Sequence, residues 1–204
     1  MKLMFVLLTV VQTIVCAQSP AENLDGFNAK ESYVNSFFAA VGVSFQAETT
    51  NTPPWRLPES VSFQGTNWTV QTQAIADIES QLVYSVLSPD GLTNIIVRTD
   101  NLPTCTGVRF SLASAINLPC NLPASMIASA FSVEQKGNGI DFLFGPRPAF
   151  SGSHVFVVCR NLILSFPADN IEFGKELGLS LLRAGGVEIP DEPEPQDPNL
   201  DPEL

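Results

Sequence analysis

The chain has 204 residues, a formal net charge of −11, 45% hydrophobic residues and only 15% charged ones. An acidic balance without clustered Lys and Arg excludes nucleic acid and anionic membrane surfaces as partners, since both require a basic footprint. Sparse charge and 14 phenylalanines exclude a wholly disordered chain, because there is enough apolar surface to offset the entropy of ordering.

Residues 1–17 read as a cleavable secretory signal peptide. Lys2 supplies the basic start, and the apolar run from Leu3 to Val15 is interrupted only by Gln12 and Thr13. Val15 and Ala17 occupy the minus-three and minus-one places of a cut after Ala17. Leu3 to Val15 is too short for a transmembrane anchor, which needs roughly 20 residues. Lipoprotein processing before Cys16 is the weaker rival, because Val15 is bulky where a small residue is wanted. The mature chain is then expected to begin at Gln18, outside the cytosol, as one globular domain over 18–186 followed by a tail over 187–204.

The first predicted element of the body is a helix. Phe27, Val34, Phe37, Phe38 and Val41 share one face at 3.6 residues per turn, with Lys30 and Glu31 on the charged side and Gly42 at its end. The Pro-rich stretch from Asn51 to Pro58 reads as an irregular connection. Val61 and Phe63, then Trp68 and Val70, alternate as strands around a turn placed at Gly65 to Asn67. From Ala74 to Leu87 the pattern is ambiguous, with a helix expected as far as Ser80 and a strand after it.

Turn chemistry marks three hairpins. Ser88-Pro89-Asp90-Gly91 separates the apolar runs Leu82–Leu87 and Leu92–Val97. Lys136 to Gly139 separates Phe131 and Val133 from Ile140, Phe142 and Phe144, with Asp141 expected on the wet face. Arg160 and Asn161 join Val155–Val158 to Leu162–Phe166. The body closes with a helix capped by Asp169 and Glu172, with Phe173, Leu177 and Leu181 at four-residue intervals and Gly185 and Gly186 as the stop. Gly174 and Gly178 inside it either allow close approach to a sheet or leave the helix frayed. The expected fold class is α+β, a mainly antiparallel sheet of hairpins or meander with an N-terminal and a C-terminal helix packed on it. From Val187 onward Glu188, Asp191, Glu192, Glu194, Asp197, Asp201 and Glu203 alternate with five prolines, the composition of an extended acidic tail.

Export makes disulfides permissible, and Cys105 and Cys120, both in loop-like sequence, are the expected pair. Cys159 is left over on the face shared by Val155 and Val157, a buried thiol or a partner thiol. No two cysteines have zinc-site spacing, and neither a metal nor a cofactor is expected. Asn67-Trp68-Thr69 is the sole N-glycosylation sequon, so Asn67 is the expected glycan acceptor. Catalytic signatures are absent: no Gly-x-Ser-x-Gly elbow, no P-loop, and a single histidine, His154, expected on a surface loop with Ser153 diverging from it. The carboxylates Asp77 with Glu79, or Asp90 with Asp100, have nothing to set them apart from solvated charges. Gly145 to Pro148 reads as a rigid turn presenting Arg147.

Three functions fit these features. The first is a secreted, non-catalytic protein that binds a lipid or another small apolar ligand, suggested by the aromatic and aliphatic weight of the body. The second is an extracellular protein-interaction or adhesion module. The third, an extracellular hydrolase, rests only on His154 and scattered carboxylates.

Overall fold

The computed structural model describes residues 20–43, 45, 55–73, 81–118, 122–137, 139–146 and 152–189. The expected leader, the helix expected before Ser80, Arg147 and the acidic run after Ile189 lie outside the described residues.

Helix α1 spans Pro20–Val41, and Val34, Phe37 and Phe38 are buried along its inner face. Gly42, at φ 85°, ends it with its N–H donated to the Phe38 carbonyl at 2.9 Å. That positive φ suits glycine at a helix C-terminus. Strands β1 (Ser60–Phe63) and β2 (Thr66–Gln73) form a tight hairpin whose turn is Gln64-Gly65. Both turn residues have positive φ, 49° and 71°, which matches the right-handed twist of paired strands. The turn therefore sits one residue earlier than the sequence pattern suggested, and Asn67 belongs to β2.

Strands β3 (Gln81–Leu87) and β4 (Asn94–Asn101) follow, joined by a loop from Ser88 to Thr93. Next come two helices that the sequence pattern did not predict, α2 (Cys105–Ile116) and α3 (Ala124–Ala128). The expected loop around Cys105 is corrected: Thr104 caps α2, its hydroxyl accepting the Gly107 N–H at 3.1 Å, and Val108, Leu112 and Ile116 repeat at four-residue spacing into the core. Strands β5 (Ser132–Gly137) and β6 (Ile140–Pro146) form the second hairpin. Strands β7 (Ser153–Cys159) and β8 (Leu162–Pro167) form the third, turning at Arg160 and Asn161. Helix α4, Ile171–Ala184, closes the body. Its cap is Asn170, whose side chain accepts the Phe173 N–H at 2.9 Å, so Asp169 is not the capping residue. Val187 and Ile189 pack back on the core beyond it.

The eight strands form one antiparallel sheet in the order β1-β2-β3-β4-β8-β7-β6-β5, and the α+β class holds. Both faces of its centre are covered, by α4 on one side and by α1 and α2 on the other. Hence Asp141 is buried, at 6% exposure, because the face expected to be wet lies toward the helices. His154 is buried too, because β7 begins at Ser153, two residues before the expected strand, and takes it out of the expected loop.

The sheet is strongly curled. The edge strands β1 and β5 are seven strand spacings apart, about 33 Å if the sheet were flat. Yet both reach the same turn of α4: Phe63 packs edge-on against Phe173 with ring centroids 5.4 Å apart, Gln64 donates to Glu176 at 3.0 Å, and Lys175 pairs with Glu134 of β5 at 2.6 Å. Helix α4 thus lies in the concavity. Leu177, Leu181 and Leu182 have no exposed surface there, and burial of each side chain of this size contributes about 1.5–3 kcal/mol. Gly174 and Gly178 make the close approach possible. A Cβ at Gly174 would fall 2.2 Å from Val155 Cγ2, and one at Gly178 would fall 2.8 Å from Val157 Cγ2. Among the described residues, no helix is long and apolar enough to cross a membrane.

Candidate functional site

A small apolar ligand held by a curled sheet belongs on its concave face, and α4 occupies that place. Aromatic side chains of the core pack on one another. Phe37 contacts both Phe38 and Phe131, and Phe63 contacts Trp68 as well as Phe173. An open depression of about 530 Å³ lies on the outer side of α1, lined by Glu31, Ser32, Asn35, Ser36 and Ala39. Polar and small side chains make that lining a poor match for a lipid.

The catalytic candidates do not converge. His154 stacks on Phe156 with centroids 6.3 Å apart, so it points away from the face that carries Cys159. The Ser111 hydroxyl donates to Asp100 Oδ2 at 2.8 Å, but β8 separates this pair from the histidine. His154 is level with Pro167 and Asp100 with Ile163, a distance of about 13 Å along the strand. No nucleophile, base and orienter can be assembled across that gap. Among the described residues Asp100 and Asp141 are the buried carboxylates, and the register Asp100–Ile163–Val158–Asp141 puts them three strands apart, about 14 Å. Glycoside cleavage needs its pair within roughly 9.5 Å. Asp100 itself is 1% exposed, with Arg98 Nε at 3.6 Å from Oδ2, and is a structural carboxylate under α2. Cys159 is buried, and that burial, opposed only by the neighbouring Arg160 charge, pushes its thiol pKa up. Such a thiol is a poor nucleophile. Cys120 and the Cys105 side chain lie outside the described residues, so the expected disulfide does too. Among the described residues, no group of three or more His, Cys, Asp or Glu side chains could hold a metal ion.

What the outer surface does present is an ordered loop with an apolar tip. Asp90 Oδ1 accepts the Ser88 hydroxyl at 2.5 Å and the Leu92 N–H at 3.0 Å. The Thr93 N–H reaches back to Ser88 Oγ at 2.9 Å. Across the loop neck, Ser88 N–H donates to the Thr93 carbonyl and Gly91 N–H to the Ser88 carbonyl, each at 2.9 Å. Gly91 supplies the φ of 69° that the reversal requires. The result holds Leu92 at 86% exposure, against 41% for Ile96 on β4 and 44% and 59% for Leu122 and Met126 around α3. The sequence located this turn through Pro89, Asp90 and Gly91. It did not reveal Leu92, because a leucine that follows a turn reads as the first core residue of the next strand.

The Asp90 lock is pH-dependent. Hydrogen bonds from Ser88 and then from the Leu92 N–H hold its carboxyl below the ordinary range. The bonds are therefore complete at neutral pH and are lost as pH falls through the lowered pKa. The Leu92 and Thr93 amide resonances are expected to titrate together at that pH and to stop doing so in Asp90→Asn. Unchanged titration in the variant would remove Asp90 from the lock.

No family model matches the chain, and neither a curated protein nor a solved structure matches it.

Proposed function

We propose that the protein is an exported, non-catalytic interaction module that grips a partner protein through the β3–β4 loop, with Leu92 as the anchor. The observation that carries this reading is a leucine held almost fully in solvent by a loop fastened at five hydrogen bonds. An exposed apolar side chain alone is ordinary. One whose backbone is fixed before any partner arrives is different, since the ordering cost of association has largely been met by folding. Export is the premise taken from the leader, and it places the partner outside the cytosol.

The small apolar ligand remains the competing reading, and it needs room that Leu177, Leu181 and Leu182 take up on the concave face. Titration of the protein with a fluorescent long-chain fatty-acid analogue separates the two. The expected result is no saturable change in emission up to the solubility of the probe. A saturable blue shift with one site per chain would restore the ligand reading and demote the loop.

A further inference from the structure

We infer that Asn67 carries an N-linked glycan in the exported protein, and that this glycan stands on the uncovered outer face of the β1–β2 hairpin beside the Leu92 loop. The modification goes beyond the proposed function, and it rests on export without depending on Leu92.

Asn67-Trp68-Thr69 supplies the acceptor amide and the hydroxyl two residues on. In the reaction the Asn67 Nδ2 forms a bond to C1 of the first sugar of a lipid-diphosphate-linked oligosaccharide. The bond from C1 to the diphosphate oxygen breaks, the lipid diphosphate leaves, and the amide gives up one proton. No oxidant or reductant enters. The transfer takes place on the entering chain, so the folded protein must satisfy one condition: a bulky polar group at position 67 has to be accommodated.

The fold satisfies it. Alternation along β2 sends Trp68 and Val70 into the core, at 8% and 7% exposure, while Asn67, Thr69 and Gln71 are exposed on the opposite side. The Trp68 indole is fixed inward, its Nε1–H donated to Thr66 Oγ1 at 3.2 Å. A rotation of β2 that buried Asn67 would expose that tryptophan. On the β1 side and along β2 the neighbours of Asn67 on its own face are Ser62, directly across, and Thr69, with Ser60 beyond them; on the β3 side the face continues to the half-buried Leu87. Ser62, Thr69 and Ser60 are small, polar and exposed, so a glycan leaning toward β1 displaces only water. Continuing the register from Thr69↔Leu87 by two residues places Asn67 level with Pro89. The sugar therefore flanks the loop on the β2 side and leaves the β4 side, with Ile96, open.

The test is expression of the full chain, with its own leader, in a eukaryotic secretory host, followed by intact mass of the secreted protein. The expected mass exceeds that of residues 18–204 by one N-glycan. Peptide N-amidase should remove it from the folded protein without denaturant, leaving aspartate at position 67 by peptide sequencing. Asn67→Gln and Thr69→Ala should both abolish the added mass, while Thr69→Ser should retain it. A secreted chain of bare polypeptide mass, a chain kept unmodified inside the cell, or a glycan that survives Thr69→Ala would overturn the inference. A glycan released only after unfolding would overturn its placement on the open face.

Discussion

Replacing Gly174 by alanine is expected to lower the stability of the protein by about 2 kcal/mol, even though alanine is the better helix former. Helix propensity alone favours the change by about 1 kcal/mol. Against it stands a new Cβ only 2.2 Å from Val155 Cγ2 and 3.1 Å from Val155 Cβ. Val155 has no exposed surface, and a β-branched side chain in a strand cannot swing aside freely. Overpacking of this kind costs about 1–3 kcal/mol and occasionally more, and the rigidity of Val155 places the cost near the upper end. At about 2–4 °C per kcal/mol for a chain of this size, the midpoint of thermal unfolding should fall by about 4–8 °C. Gly178→Ala should fall less, because its nearest clash is 2.8 Å, with Val157 Cγ2.

A double-mutant cycle identifies the cause. Val155→Ala should itself cost about 2 kcal/mol through lost burial and a cavity. In the double variant the methyl added at 174 enters the space vacated at 155. The two losses should then fall short of additivity by about 1–2 kcal/mol, within the range seen for residues in direct contact. Strict additivity in calorimetric or denaturant unfolding would mean that α4 does not seat on β7 as described.

Glycine in α4 also shows where the sequence was legible and where it was not. Both readings of Gly174 and Gly178, close approach or fraying, followed from the same letters. Only the position of Val155 and Val157 beneath them decides for close approach. The β1–β2, β3–β4 and β5–β6 turns were readable because Gly65, Gly91 and Gly139 provide positive φ where a reversal needs it, which is local chemistry. Asp141 was misplaced for the opposite reason. A strand alternates between faces whatever covers them, and a second helical layer is a long-range fact that alternation cannot encode. Helix α2 was missed although Thr104 and the spacing of Val108, Leu112 and Ile116 announce it, because Pro103 and Gly107 on either side of Cys105 are also loop chemistry. For the candidate site, the turn residues could be read and Leu92 could not. Exposure of an apolar side chain is set by where the flanking strands end, and β4 begins at Asn94, two residues later than its apolar run.

Replacing Leu92 by arginine is expected to weaken capture of the partner by more than about tenfold while leaving the fold intact. An anchor residue at the centre of an interface carries about 2 kcal/mol or more when truncated, and a charge placed in the apolar pocket that receives it adds desolvation cost. The free protein should not register the change. Leu92 is 86% exposed, and substitutions at such positions shift stability by no more than about 0.5 kcal/mol, or about 1–2 °C in the unfolding midpoint. Immobilised wild-type protein, screened against an array of extracellular proteins, supplies the partner; the same array probed with Leu92→Arg and with Met126→Arg reads specificity. Loss confined to Leu92→Arg is the expected pattern. Equal binding by all three proteins would dismiss the loop as the anchor. Equal loss in both variants would point to nonspecific adhesion of exposed apolar side chains. Asp90→Ala should lie between wild type and Leu92→Arg, because it leaves the anchor in place and removes only the bonds that orient it. Its deficit should shrink as the pH is lowered, since the wild-type lock opens when Asp90 takes up a proton.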